Sequence, residues 1–500
     1  MSLWSRKTVA MCTADACSEG GAHLPRSLGF LSLTAFGVGC TIGAGIFSLT
    51  GDVAAHYAGP AVSLSFLLAS VACFFAGLCY AEFAAMVPIS GSAYTYAYVT
   101  LGELAAWLIG WSLVLEWLFS VSLVAISWSG YLQAALHDLG FGLPAALARA
   151  PIAVDAAHHL GATGAWIDLP AALVVVGCTA LTLAGMRASA LVNTVVVLAK
   201  VLALIVLVLV GARYLHPGNW RPFVPANTGS FGDFGWSGVM RGAGILFFAY
   251  LGFDGVSTLA EDARNPQRTL PWSLFASLLI CAVLYIAVSV VVTGLAGYQA
   301  LGVADPLYSA LAAAHARLGA VKALVAVVAI LGLISVVLTC ILGQVRIFYS
   351  MARDGLLPEC FARLSRGRHT PIAGTLVTGA AATVLAAFVP LATLGELISI
   401  GTLLAFAAVC AGVVVLRRIA PEARRPFRTP WVPVVPAVGV ASCLALMLSL
   451  PRDTWLRLIV WIAAGIAVYA AYGRRHSRLR AGTRRSPAPD PRSAASDAGG

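Results

Sequence analysis

Charge is scarce in this chain. Of its 500 residues only 11% are charged, while 60% are hydrophobic and the mean hydropathy is +0.88. No soluble core of this size could bury that apolar surplus, so a soluble domain is excluded. Polar residues do not alternate with apolar ones over ~10-residue segments, as a transmembrane barrel requires. The apolar runs are instead continuous, as in Val201–Val210 and Ala405–Leu416, and the spans are read as helices. The eleven cysteines form no CxxC pair, and the nine histidines are scattered. Reduced thiols are therefore expected, and a metal centre or a membrane-enzyme constellation is not. No cofactor is expected either. The first 27 residues hold Arg6, Lys7 and Arg26 but no apolar h-region, so the first span itself is expected to target the chain.

What is abundant is membrane-spanning length, at roughly 20 apolar residues per ~30 Å of hydrocarbon. Windows of about 19 residues predict an all-α integral membrane protein of twelve transmembrane helices, near 29–50, 61–87, 95–131, 169–186, 189–212, 236–258, 272–297, 320–349, 372–390, 394–416, 432–450 and 455–472. The third window is too long for one upright helix and is counted as a single span, either steeply tilted or projecting beyond the bilayer. With the N-terminus inside, 23 of the 32 basic residues fall on the cytoplasmic side and eight outside, Lys200 remaining within a span. The positive-inside rule then puts both termini in the cytoplasm and the protein in the cell's inner (cytoplasmic) membrane. The net charge of +11 thus sits at membrane borders, and the expected contact is anionic lipid rather than nucleic acid. The predicted organisation is a cytoplasmic N-terminus over 1–27, a five-helix unit over 28–235 with a long external loop near 132–168, a second unit over 236–418, spans 11 and 12 over 419–472, and a disordered basic tail over 473–500.

Two of these spans are interrupted. The first carries Gly37, Gly39, Gly43 and Gly45 within nine residues, with Thr41 among them; the sixth carries Phe247-Phe248-Ala249-Tyr250-Leu251-Gly252-Phe253-Asp254-Gly255. A lone GxxxG is ordinary helix packing. Four glycines favour unwinding at Gly43-Ala44-Gly45, including positive φ, which would aim N–H groups of the outer half-helix at an anion. Two broken helices in corresponding places, five spans apart, predict a five-plus-five inverted repeat with the site between them, plus two C-terminal helices.

Longer motifs carry a resemblance. Gly39 to Phe47 with Leu49-Thr50-Gly51, Tyr80-Ala81-Glu82-Phe83-Ala84, and Pro88 to Tyr96 resemble the amino acid–polyamine–organocation (APC) superfamily. Phe247 to Asp254 with Val256-Ser257-Thr258, the following Glu261 to Arg268, and Arg346 to Leu357 are similar to its cationic amino acid transporter branch and its bacterial members. The resemblance covers about residues 28–430. It implies a LeuT-like fold and a permease for L-α-amino acids working by alternating access, coupled to protons; exchange, polyamine or amine transport, and a receptor that does not transport stay open.

A zwitterion needs N–H donors for its carboxylate and carbonyl acceptors for its ammonium, which two broken helices supply without charged side chains. By resemblance, the N–H groups of Gly43, Ala44 and Gly45 would take the carboxylate, and the carbonyls of Thr41, Phe248, Ala249 and Leu251 the ammonium. Phe253 closes the site or is a packing aromatic, and Val336 and Thr339 are assigned to the side-chain pocket. Lys200 lies about eleven residues into span 5, too deep to snorkel across some 15 Å. By resemblance it stands where sodium binds in sodium-coupled relatives, touching carbonyls of the broken first span, and it is a candidate proton carrier together with Glu116. Glu116 has three readings: a contact to a cationic substrate, a proton path, or a structural hydrogen bond. Ser112 stands where the branch often has an acid, which weakens any requirement for cationic substrates. Asp254 and Glu82 are read as gate residues or helix caps.

Overall fold

The computed structural model describes residues 6, 7, 28–86, 92–154, 160–185, 190–257, 263–314, 318–365 and 370–479. The loop motifs Pro88 to Gly91 and Thr258 to Asp262, and the tail beyond 479, lie outside them.

Helix α1, Phe30–Thr41, stops where Ile42 turns to φ −72°, ψ 90°. The chain resumes as a π-helical turn Gly45–Leu49, a single α-turn α2, Thr50–Val53, and a second π-helical turn Ala54–Ala58. Thr50 Oγ1 bonds back to the carbonyls of Ile46 (2.9 Å) and Gly45 (3.3 Å), the kind of local competition that distorts a helix. Gly59, at φ +60°, and Pro60 then end this segment. There follow α3 (Val62–Met86), α4 (Ser92–Thr100), α5 (Glu103–Asp138), α6 (Leu169–Leu183), α7 (Ala190–Gly211), α8 (Gly235–Leu246), α9 (Pro266–Leu295), α10 (Pro306–Ala314), α11 (Gly319–Arg353), α12 (Ile372–Phe388), α13 (Leu391–Ile419), α14 (Val434–Ser449) and α15 (Arg452–Val468). The strands in the described residues are β1, Ile152–Val154, and β2, Leu160–Ala162, paired antiparallel in the loop between α5 and α6.

Among the described residues, eight helical stretches are long and apolar enough to cross a membrane, including Glu103–Asp138, Thr194–Tyr214, Pro266–Leu295 and Gly319–Arg353; Phe30–Thr41, Leu169–Leu183, Ile372–Phe388 and Val434–Ser449 are apolar but shorter. The window at 95–131 needs correction. It straddles Gly102, whose φ of +99° only glycine adopts readily, so α4 ends there and α5 starts afresh. At 36 residues α5 runs ~54 Å and projects past the hydrocarbon, which also shortens the expected loop to 139–168.

The interior is apolar, yet large apolar side chains also cover the outside while a few charged groups are buried. Along α7, Leu198, Leu202 and Leu209 are exposed whereas Lys200 is fully buried. Glu82 is buried at the end of α3, taking Arg417 Nη2 of α13 at 2.8 Å and the Thr429 N–H at 2.7 Å, so it ties two helices together. The first and last described segments meet at Asp354, just past the end of α11. Lys7 Nζ and Tyr94 Oη each bond the Asp354 carboxylate at 2.6 Å, while the Arg478 N–H donates to the Asp354 carbonyl at 3.0 Å. Beside them Ser477 Oγ and Tyr469 Oη donate to the buried Glu103, each at 2.6 Å.

Candidate functional site

A helix end leaves carbonyls without intrahelical partners and carries partial negative charge. At the end of α1 those carbonyls are met from other helices. Lys200 Nζ, fully buried on α7, donates to the carbonyls of Gly39 (3.1 Å) and Ile42 (3.0 Å). Tyr285 Oη on α9 donates to the carbonyl of Thr41 at 2.7 Å. Gly332 of α11 gives the lysine its channel, since a Cβ there would sit 2.7 Å from Lys200 Cε. On the other side of the break, the first turn starting at Ala44 directs its N–H groups back toward the gap.

The second break follows α8. A 3-10 turn, Phe247–Tyr250, gives way to extended Leu251 and then to Gly252 at φ +113°. This turn closes on itself: the Leu251 N–H donates to the Phe248 carbonyl (2.9 Å), the Gly252 N–H to Asp254 Oδ1 (3.2 Å), and Ser257 Oγ to the Asp254 carbonyl (2.6 Å). Asp254 is thus part of the turn.

The two breaks press on each other through glycine. A Cβ on Gly45 would lie 2.4 Å from Ala249 Cα, and a Cβ on Gly252 2.8 Å from the carbonyl carbon of Cys40. That contact corrects the expected backbone geometry. Among the described glycines with positive φ neither Gly43 nor Gly45 appears; Ala44 is helical at φ −58°, ψ −22°, and the interruption falls at Ile42-Gly43. Glycine is required at 45 by the crossing of two backbones.

Between the breaks lies a cavity of about 20 Å³, far below the ~300 Å³ of an open ligand site, so the walls must part to admit a substrate. Thr41, Gly43, Ala44 and Gly45 of the first break line it, with Phe248 and Leu251 of the second and Val336 and Thr339 of α11. Ala249 lies under Gly45 outside that wall, and Phe253 packs edge-on against Tyr80 and Phe406, at centroid distances of 6.2 and 5.6 Å. Lys200 and Glu116 are not among the residues that line it. Glu116 is fully buried on α5, one oxygen accepting from Thr402 Oγ1 at 2.9 Å and the other without a hydrogen-bond partner.

Trp117, Ser120 and Val124 of α5 also line the cavity, as do Cys40 and Cys340. The i, i+3, i+7 spacing of the first three puts them on one helical face, a signal present in the sequence but indistinguishable from packing until the neighbour is known. Tyr285, a lone phenol in the run Cys281-Ala-Val-Leu-Tyr285-Ile, was equally visible as an amphipathic side chain lacking a partner.

Residues 28–470 match the family model described as amino acid permease. The chain belongs to the amino acid permease family. The permease is 44% identical over 478 residues to the methylthioribose transporter of Bacillus subtilis, covering 96% of this chain and 99% of the relative. It is 41% identical over 465 residues to the branched-chain amino acid permease BcaP of the same organism, covering 93% and 96%. It is 38% identical over 405 residues to cationic amino acid transporter 4, vacuolar, of Arabidopsis thaliana, covering 81% of this chain and 65% of the relative. It is a multi-pass membrane transporter for amino acids and not an enzyme.

Proposed function

We propose that the permease is a secondary active transporter that moves L-α-amino acids by alternating access and couples their movement to protons. The observation that carries this reading is the meeting of two helix breaks at one cavity, lined by Gly43, Ala44 and Gly45 of the first and by Phe248 and Leu251 of the second. Such a pair matches a carboxylate and an ammonium at once. Tyr285 already uses the Thr41 carbonyl and the Leu251 N–H the Phe248 carbonyl, so in this reading the ammonium relies mainly on the carbonyls of Ala249 and Leu251. The four shorter apolar helices, taken with the eight long stretches, support twelve spans, the outer half of span 1 and all of span 2 falling in Gly45–Met86. Spans 1–5 and 6–10 form the inverted repeats over 28–235 and 236–418, spans 11 and 12 follow, and both termini face the cytoplasm of the inner membrane. A cysteine introduced at Arg363 should accordingly resist an impermeant reagent in intact cells.

Proton coupling is assigned to Lys200 and Glu116. A carboxylate with one oxygen unpartnered in a buried site is costly as an anion, and taking up a proton removes that cost. A lysine clamped to helix-end carbonyls links its own charge to the shape of the break. Reconstituted chain given labelled amino acid with and without an imposed pH gradient tests this: accumulation driven by the gradient supports symport, and uptake dependent only on internal amino acid makes the permease an exchanger. A decarboxylated analogue carried as well as its parent amino acid would move the substrate class to amines. The 44% identity to a methylthioribose transporter favours a second reading, in which the substrate has neither charged group; methylthioribose belongs in the same assay.

A further inference from the structure

The wall of the cavity away from the two breaks speaks to the substrate's tail. It is made by Trp117, Ser120 and Val124 of α5 and Val336, Thr339 and Cys340 of α11. None of these side chains carries a charge at neutral pH. The two acids nearest in sequence to wall residues do not line the cavity: Glu116 accepts from Thr402 through one oxygen, and Asp254 takes the Gly252 N–H within its own turn. Ser112, one helical turn before Glu116, bonds back to the Leu108 carbonyl at 2.9 Å. The fixed charge closest to the first break is positive, the Lys200 ammonium held on the carbonyls of Gly39 and Ile42.

Trp117 is the largest of these wall side chains, and it is wedged. Gly343 of α11 lies flat against its indole, where a Cβ would come within 2.6 Å of Cε3 and 2.7 Å of Cζ3. The absence of a side chain at 343 makes the slot that holds the ring beside the cavity.

We infer that the permease selects neutral substrates with an apolar tail and rejects cationic ones, Trp117 in its Gly343 slot being the stop that limits the tail's length. This rests on the transporter reading above and names the substrate class of the same site. A lysine or arginine side chain would bring its charge to a wall of indole, isopropyl and thiol with no carboxylate lining it, and with a second cation already on the carbonyls of the first break. An aliphatic or thioether tail meets the same wall favourably, whichever head group the breaks receive.

The test is competition against labelled leucine in proteoliposomes containing the full chain. Unlabelled leucine and methionine should compete at similar concentrations, and lysine and arginine on the order of 100-fold more weakly, the discrimination expected for placing a charge in a membrane interior. Lysine or arginine competing within tenfold of leucine would overturn the inference while leaving amino acid transport intact; uptake of no amino acid at all would overturn the parent reading and this one with it. Trp117→Ala should shift preference toward phenylalanine over leucine by about tenfold, and Gly343→Ala, which pushes the indole toward the cavity, should shift it toward alanine. Equal loss for all substrates in both variants, with unfolding temperatures unchanged in detergent, would show that Trp117 is scaffold and sets no limit. The wild-type competition stands even where a variant fails to fold.

Discussion

The two breaks look alike in sequence and are held together differently. The first is held from outside, its carbonyls taken by Lys200 of α7 and Tyr285 of α9. The second turn is closed mainly by its own residues, through Asp254, Ser257 and the Phe248 carbonyl, with one anchor from outside where Ser399 Oγ of α13 donates to the Ile245 carbonyl at 2.7 Å. A turn that satisfies itself keeps its shape when its neighbours move. One clamped by side chains from two other helices changes when either helix shifts or when the lysine loses its charge. The first break is therefore expected to respond more to movement of its neighbours, and the second to act as the more fixed jaw.

The largest effect should come where the jaws touch. Gly45→Val drives a branched side chain into the Ala249 backbone 2.4 Å away, and an overpacked crossing costs ~1–3 kcal/mol before any loss of ligand contact. Substrate binding should vanish in protein that still reaches the membrane, as surface labelling and a direct binding assay would report. Lys200→Met comes next. It keeps the stem and deletes a charged donor bonded to two carbonyls, each such bond being worth ~1.5–3 kcal/mol, so uptake should fall on the order of 100-fold or more. Binding retained with accumulation lost would sharpen the contrast between the breaks; near-normal uptake with an unchanged pH profile would erase it.

Gly252→Ala tests the fixed jaw by its backbone alone. At φ +113° a side chain is strained by ~1–2 kcal/mol and also meets the Cys40 carbonyl carbon at 2.8 Å. Uptake should fall about tenfold, with a measurable drop in unfolding temperature. Tyr285→Phe is the mildest. It removes one hydrogen bond to the Thr41 carbonyl, ~0.5–1.5 kcal/mol, so a two- to tenfold rise in the substrate concentration for half-maximal uptake is expected. If the tyrosine variant proved as damaging as Lys200→Met, the clamp would be a single unit and not two anchors of unequal strength.

Glycine density located both breaks, because an interior glycine weakens a membrane helix whatever surrounds it. Depth alone singled out Lys200, since burying an ammonium demands a reason independent of fold. What stayed hidden depended on a partner many residues away. Gly45 read as a conformational residue, yet its neighbour Ala249 shows it to be a contact residue. Trp117 read as part of the span until Gly343 and the cavity gave it a position. The interruption at Gly102 hid inside a continuous apolar window, because hydropathy averages over the residue whose φ ends the helix.

The junction at Asp354 imposes an order of events on the chain. Its side chain holds Lys7 and its backbone holds Arg478, so a residue late in the sequence joins one of the earliest to one of the last described. During synthesis Asp354 and Glu103 are in place long before Ser477 and Arg478 exist, and the knot is tied last. A chain cut after residue 473 would keep α1 to α15 and never tie it.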